Sequence, residues 1–112
     1  MQMPRFVLRT TWLCPALVTL MLVSPAMAAS SPEQRGKVFA RSHCGRCHAI
    51  GRTGPSPFEP APPFRTLHLR YPVETLGEAL AEGIATGHPA MPEFELSPDQ
   101  IHDLLSYLKS LE

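Results

Sequence analysis

Toward the end of the chain, apolar residues recur at three- and four-residue steps: Ile101, Leu104, Leu105, Leu108 and Leu111. That spacing lays one apolar stripe along a helix and leaves the opposite side polar. Ser97-Pro98-Asp99-Gln100 comes directly before it. A capping hydroxyl, a proline at the first helical position and a glutamine that completes a capping box together mark a helix start. The same signature occurs earlier as Ser31-Pro32-Glu33-Gln34 and predicts a first helix to about His43, with Val38 and Phe39 as its apolar contacts. Gly36 lies on a neighbouring turn of that helix. Glycine weakens a helix, so it either permits the close approach of another backbone or is a tolerated surface residue. A further helix is expected from Pro72, with Val73, Leu76 and Leu80 on one stripe and Gly83 near its end.

Between these helices the periodicity disappears. From Ala49 to about Thr66 the chain carries Pro55, Pro57, Pro60, Pro62 and Pro63, which exclude a helix or a central strand. The stretch is too long for a simple connection in a small domain, so a stiff loop that wraps something is expected. Residues 84–96, "IATGHPAMPEFEL", read as irregular because Gly87, Pro89 and Pro92 interrupt them. No segment alternates as a strand, and the expected fold is all-α.

The first residues follow a different logic. Arg5 and Arg9, an apolar run from Trp12 to Val23, and then Pro25-Ala26-Met27-Ala28 make the layout of a secretory signal peptide. Cleavage is expected after Ala28, leaving one domain, residues 29–112, in the periplasm. The apolar run falls short of the roughly 20 residues of a spanning helix, and Pro15 and Pro25 interrupt it, so no stable membrane insertion is expected. Cys14 fits a lipid-anchored cysteine poorly because bulky Leu13 precedes it.

Removal of residues 1–28 changes the inventory. Cys44 and Cys47 become the only cysteines and Met91 the only methionine. Ten basic residues, two of them lost with the leader as Arg5 and Arg9, then face ten acidic ones, a net charge of −2. Nucleic-acid binding, which calls for a basic face, is not expected. A domain this small is often marginal on its apolar core alone and borrows stability from a disulfide, a metal or a prosthetic group.

The chemistry concentrates in "SHCGRCHAIG", residues 42–51. A thiol-exchange enzyme would need its cysteine pair beside a βαβ framework, which the pattern lacks. Structural zinc draws ligand pairs from separated segments, whereas His43, Cys44, Cys47 and His48 fall within six residues. Covalent haem accounts for the spacing. Two intervening residues let one turn bring Cys44 and Cys47 to the two vinyl groups of a porphyrin, and His48 offers its imidazole to the iron; Cys-x-x-Cys-His is the haem-attachment signature. Met91, His43, His68, His88 and His102 are the candidates for the second axial position. His43 is too close to the motif, His102 lies among polar helix residues, and His68 reads as a packed or surface histidine. His88 is the serious rival. Met91 is favoured because Pro89 and Pro92 hold an extended backbone around it, and because His/Met pairs are a known haem ligation.

These stretches together resemble a known family, the small bacterial class I cytochromes c. "GKVFARSHCGRCH" is similar to its first helix and haem motif, "EGIATGHPAMPEF" to its methionine loop, and "LSPDQIHDLLSYLKSLE" to its last helix. The resemblance spans residues 31–112. It implies an all-α fold of about three helices around one haem c, with Gly36 and Phe39 meeting the face that carries Leu104 and Tyr107. It also implies a proline carbonyl accepting the proximal histidine's N–H, for which Pro62 of "APPF" is the counterpart. The family's usual tryptophan near the haem propionates is missing from residues 29–112; Arg65, with Arg70 or Tyr71, is the candidate replacement. A lysine ring is missing too, since only Lys37 and Lys109 occur, which argues against a strongly acidic docking partner. The implied role is a monomeric one-electron carrier between redox proteins rather than an enzyme. The alternatives are a dedicated cytochrome subunit of a periplasmic dehydrogenase and a ligand-binding haem sensor.

Overall fold

The computed structural model describes residues 28–83 and 90–112. The expected export signal, apart from Ala28, and the ligand candidate His88 lie outside the described residues. Three α-helices, α1 (Pro32–His43), α2 (Leu76–Glu82) and α3 (Pro98–Lys109), are joined by irregular chain and two 3-10 segments. No strand occurs among the described residues. The fold is all-α.

Both capping boxes form. In α1 the Gln34 N–H donates to Ser31 Oγ (3.2 Å), and Gln34 Oε1 accepts from the Ser31 N–H (3.1 Å). In α3 Ser97 and Gln100 repeat the exchange at 3.3 and 3.0 Å. Gly83 ends α2 at φ 70°, the left-handed region that glycine enters without strain.

Two segments depart from the expectation. Phe64–Leu69 is a 3-10 helix where loop was expected as far as Thr66, and the chain after Pro72 begins as a 3-10 turn, Val73–Thr75, becoming α-helical only at Leu76. One device produces both. The Pro63 carbonyl accepts from the N–H and hydroxyl of Thr66 (3.0 and 2.8 Å), and the Pro72 carbonyl does the same with Thr75 (3.1 and 2.7 Å). A doubly satisfied bond to residue i+3 tightens the turn that follows each proline.

α1 packs chiefly on α3. A Cβ built on Gly36 would fall 1.9 Å from the Asp103 carbonyl oxygen and 3.0 Å from Tyr107 Cβ, so this glycine marks the point where the two backbones touch. Ala40, Leu104, Tyr107 and Leu108 are buried around that crossing, with Phe39 partly buried against them. Phe64, Leu67 and Val73 extend the core from the other side. Of the large side chains described, only Val73 is fully enclosed.

The Pro-rich loop folds back on the segment that follows α1. The Cys47 carbonyl accepts from the Phe58 N–H (3.1 Å), the Ala49 carbonyl from the Phe64 N–H (3.0 Å), and Ser56 Oγ from the Ala49 N–H (3.0 Å). The Tyr107 hydroxyl donates to the Ile50 carbonyl at 2.8 Å, and Arg52 donates to the Ser110 carbonyl, so the same segment is pinned to α3.

Candidate functional site

α1 stops where the chemistry begins. Cys44 is its C-cap, with an N–H bonded to the Ala40 carbonyl (2.8 Å), and Gly45 bonds the same oxygen (3.0 Å). The Cys44 carbonyl then accepts from the N–H groups of Cys47 (3.1 Å) and His48 (2.9 Å). One closed turn thus holds both thiols and the imidazole. An ideal Cβ on Gly45 would lie 2.7 Å from the Arg41 carbonyl oxygen, so a side chain there would require this turn to shift.

Cys44 and Cys47 form no disulfide, and both side chains are half-buried. Burial, and then the neighbouring Cys47, push the Cys44 thiol up to about 11. Before attachment, Cys44 therefore lacks the lowered value that thiol-exchange enzymes build.

His48 is oriented by two contacts. Its Nδ1 lies 2.8 Å from the Pro62 carbonyl oxygen, and its ring tilts against Phe64 with centroids 5.1 Å apart. A carbonyl can only accept, so Nδ1 carries the proton in this bond and Nε2 is the nitrogen left for a metal. That is the tautomer a metal-binding imidazole needs.

Cys44, Cys47 and His48 lie on the wall of a cleft of about 900 Å³, within the roughly 300–1,000 Å³ of cofactor and small-molecule sites. Phe64, Leu67, Phe94 and Leu96 contribute apolar walls, α2 adds Leu76 and Leu80, and α3 adds Leu104 and Leu108. Met91, half-buried, lines the same cleft. No carboxylate occurs among its described lining residues. A large apolar slot with two thiols, an Nε2 lone pair and a thioether on its walls fits a porphyrin joined to the chain.

The other described histidine candidates, His102, His68 and His43, are exposed. His43 lines the cleft but stacks on Phe39 with centroids 4.2 Å apart. Arg65, expected to bind the cofactor, is not among the cleft-lining residues, whereas Arg70 and Tyr71 are. Side chains three apart eclipse in a 3-10 turn, and Phe64, Leu67 and Arg70 share the cleft face. Arg65 Nη1 is buried with no hydrogen-bond partner among the described residues. Sequence reasoning took Leu80, Leu104 and Leu108 for ordinary core residues, and helical periodicity alone carries no sign that they face a cofactor.

The fold and the slot define a small helical protein built to hold a covalently attached prosthetic group. The family model for cytochrome c matches residues 33–112, and the chain belongs to the cytochrome c family. It is 30% identical over 92 residues to a cytochrome c-553-like protein of Synechocystis sp. (strain ATCC 27184 / PCC 6803 / Kazusa), an alignment covering 80% of this chain and 78% of that one. No solved structure matches. The cofactor is haem c, attached through Cys44 and Cys47, and the class is that of haem c electron carriers.

Proposed function

We propose that this protein is an exported one-electron carrier whose haem is ligated by His48 and Met91, working in the periplasm between a donor and an acceptor redox protein. The observation that carries the reading is the bond from His48 Nδ1–H to the Pro62 carbonyl, which leaves Nε2 as the free donor on the wall that Met91 also lines. The bound haem supplies reversible one-electron exchange at its iron. His48 gives the iron a nitrogen whose basicity the Pro62 carbonyl raises. Met91 gives a thioether, which favours the reduced state. With His48 and Met91 both holding the iron, the protein would offer no open position for a substrate. Apolar walls from Phe64, Leu67 and Phe94 keep water from the slot. Periplasmic location is supported by the Arg5, Arg9, Trp12–Val23 and Pro25–Ala28 pattern. No helix of the described residues is long and apolar enough to cross a membrane.

A visible spectrum of the exported, purified protein, with its denatured mass, tests this. The mass should exceed the processed chain by one haem, and the ferric form should show the far-red band of sulfur–iron ligation. Met91→Ala should abolish that band and open the reduced protein to carbon monoxide, while His88→Ala should leave it intact. A band that survives Met91→Ala would defeat the proposed ligation.

A further inference from the structure

Three consecutive residues of the haem motif hold the Pro-rich loop in register. Cys47 and Ala49 accept backbone bonds from Phe58 and Phe64, and between them the His48 ring donates through Nδ1 to the Pro62 carbonyl at 2.8 Å. The last of these bonds brings Phe64 beside the imidazole. Its ring centroid lies 5.1 Å from that of His48, with the two planes at 50°. Phe64 itself has little freedom. It is buried, its N–H holds the Ala49 carbonyl at 3.0 Å, and it opens the 3-10 segment that the bonds from Thr66 to the Pro63 carbonyl tighten.

One hydrogen bond does not fix a ring. The Pro62 carbonyl sets the direction of the Nδ1–H edge, but the imidazole can still rock about the line through Nδ1 and that oxygen. A second contact, on the ring itself, removes this freedom, and Phe64 supplies it. Aromatic pairs prefer tilted or offset arrangements because ring edge and ring face carry opposite partial charges. The contact therefore favours particular angles, whereas an aliphatic side chain would fill the same space without that preference.

We infer that Phe64 is a positioning residue that sets the plane of the His48 imidazole, while Pro62 sets its basicity. The inference rests on the axial role of His48 proposed above and adds the angle at which that ligand is held. The angle has an electronic consequence. An imidazole overlaps best with the iron orbital perpendicular to its plane, so the orientation of the axial ligands decides which orbital holds the unpaired electron of the low-spin ferric state. That choice spreads spin unequally over the four edges of the porphyrin. Phe64 acts on this distribution through His48, by keeping the ring at one angle in every molecule.

Proton NMR of the ferric holoprotein reads the angle, because the shifts of the four haem methyl groups report that spin distribution. Phe64→Leu keeps an apolar side chain in a swap that cores usually tolerate, but removes the flat ring; it should narrow the spread of the methyl shifts. Phe64→Tyr, which keeps the ring, should stay near the wild-type spread. Val73→Ala is the control: Val73 is fully enclosed in the same core cluster and does not line the cleft, so it should lower the melting temperature and leave the spread alone. A wild-type spread in Phe64→Leu, or a spread that narrows as much in Val73→Ala, would overturn the inference. Exchange of the His48 Nδ1 proton separates the two supports. It should stay near the wild-type rate in Phe64→Leu and quicken in Pro62→Ala; equal quickening in both would mean that the contacts act as one, and would count against a distinct role for Phe64. The same spectra keep this inference apart from the ligation it rests on. His48 ring protons without a hyperfine shift would defeat both, whereas shifted ring protons with an unmoved methyl spread would defeat the role of Phe64 alone.

Discussion

Gly36 and Asp103 meet backbone to backbone: a methyl group on Gly36 would fall 1.9 Å from the Asp103 carbonyl oxygen. That oxygen belongs to α3 itself and cannot rotate aside, so the helices would have to separate. Overpacking of this kind costs about 1–3 kcal/mol and occasionally more, and a backbone contact belongs at the upper end. Replacing glycine in a helix returns about 1 kcal/mol. Gly36→Ala should therefore destabilise the protein by about 2 kcal/mol, lowering the melting temperature by roughly 10 °C for a domain of this size. Gly51, which has nothing within 4 Å of an added Cβ and no positive φ, is the control; Gly51→Ala should melt within a degree or two of wild type, to the order expected for an open site.

Tyr107 does two jobs with one side chain. Its ring is buried against α1, and its hydroxyl donates to the Ile50 carbonyl at 2.8 Å, fastening the chain just after the haem motif to the last helix. Burial, ahead of the opposing pull of Arg52 and Arg41, raises its hydroxyl above the usual tyrosine range, so it stays a donor. Tyr107→Phe keeps the ring and removes the bond. The expected loss is about 1 kcal/mol, rising toward about 3 kcal/mol if the Ile50 carbonyl is left without a partner. Thermal unfolding measures this, and faster hydrogen exchange at residues 49–52 should accompany it with an unchanged visible spectrum.

Beside the crossing, Arg35 grips Asp103 through two bonds, Nε to Oδ2 at 2.7 Å and Nη2 to Oδ1 at 2.6 Å. The hydrogen bond from Arg35 is the first cause that lowers Asp103 below the usual carboxylate range, and Lys109 does the same for Glu74. A carboxyl whose value falls on folding contributes stability that is complete above its unfolded value, near 3.9 for aspartate. That contribution is lost as the pH falls through the lowered folded value. Asp103→Asn should therefore weaken the protein at pH 6 and converge with wild type on acidification below the lowered value. High salt should shrink the pH 6 gap, because the pair is open to solvent. Urea unfolding at a series of pH values gives the curve; a gap that widens in acid would contradict it.

What the chain discloses locally was legible before its fold. α1 and α3 announce themselves through two Ser-Pro-x-Gln starts and a three-four periodicity, because caps and amphipathic stripes depend only on near neighbours. Cys44, Cys47 and His48 form a motif for the same reason: the porphyrin imposes its own short spacing. Gly36 was ambiguous, and only the partner helix decides between close approach and a tolerated surface position. The 3-10 segments at Phe64 and Val73 were read as loop and α-helix. Each follows a Pro-x-x-Thr run whose double bond to the proline carbonyl is visible in the sequence once the device is known. Arg65 and Arg70 were interchangeable on paper. Their separation depends on the phase of a 3-10 turn, a property of φ and ψ rather than of spacing.

The adjacent prolines Pro62 and Pro63 point their carbonyls at different tasks. Pro62 accepts from His48 Nδ1–H at 2.8 Å, and Pro63 accepts from Thr66. Substituting Pro62 by alanine keeps a carbonyl but frees the φ angle that proline fixes near −65°, so the bond to His48 loosens. On the proposed ligation, a weaker acceptor would leave the imidazole less basic and a poorer donor to iron, which would destabilise the oxidised state more than the reduced one. Pro62→Ala should raise the reduction potential and hasten exchange of the His48 Nδ1 proton, with the covalent haem adduct unchanged by mass. Pro63→Ala relaxes the same stretch of chain but acts on Thr66, and should move stability rather than potential. If the two variants shift the potential equally, the effect belongs to the loop as a whole and the His48–Pro62 bond has no separate role in tuning the iron.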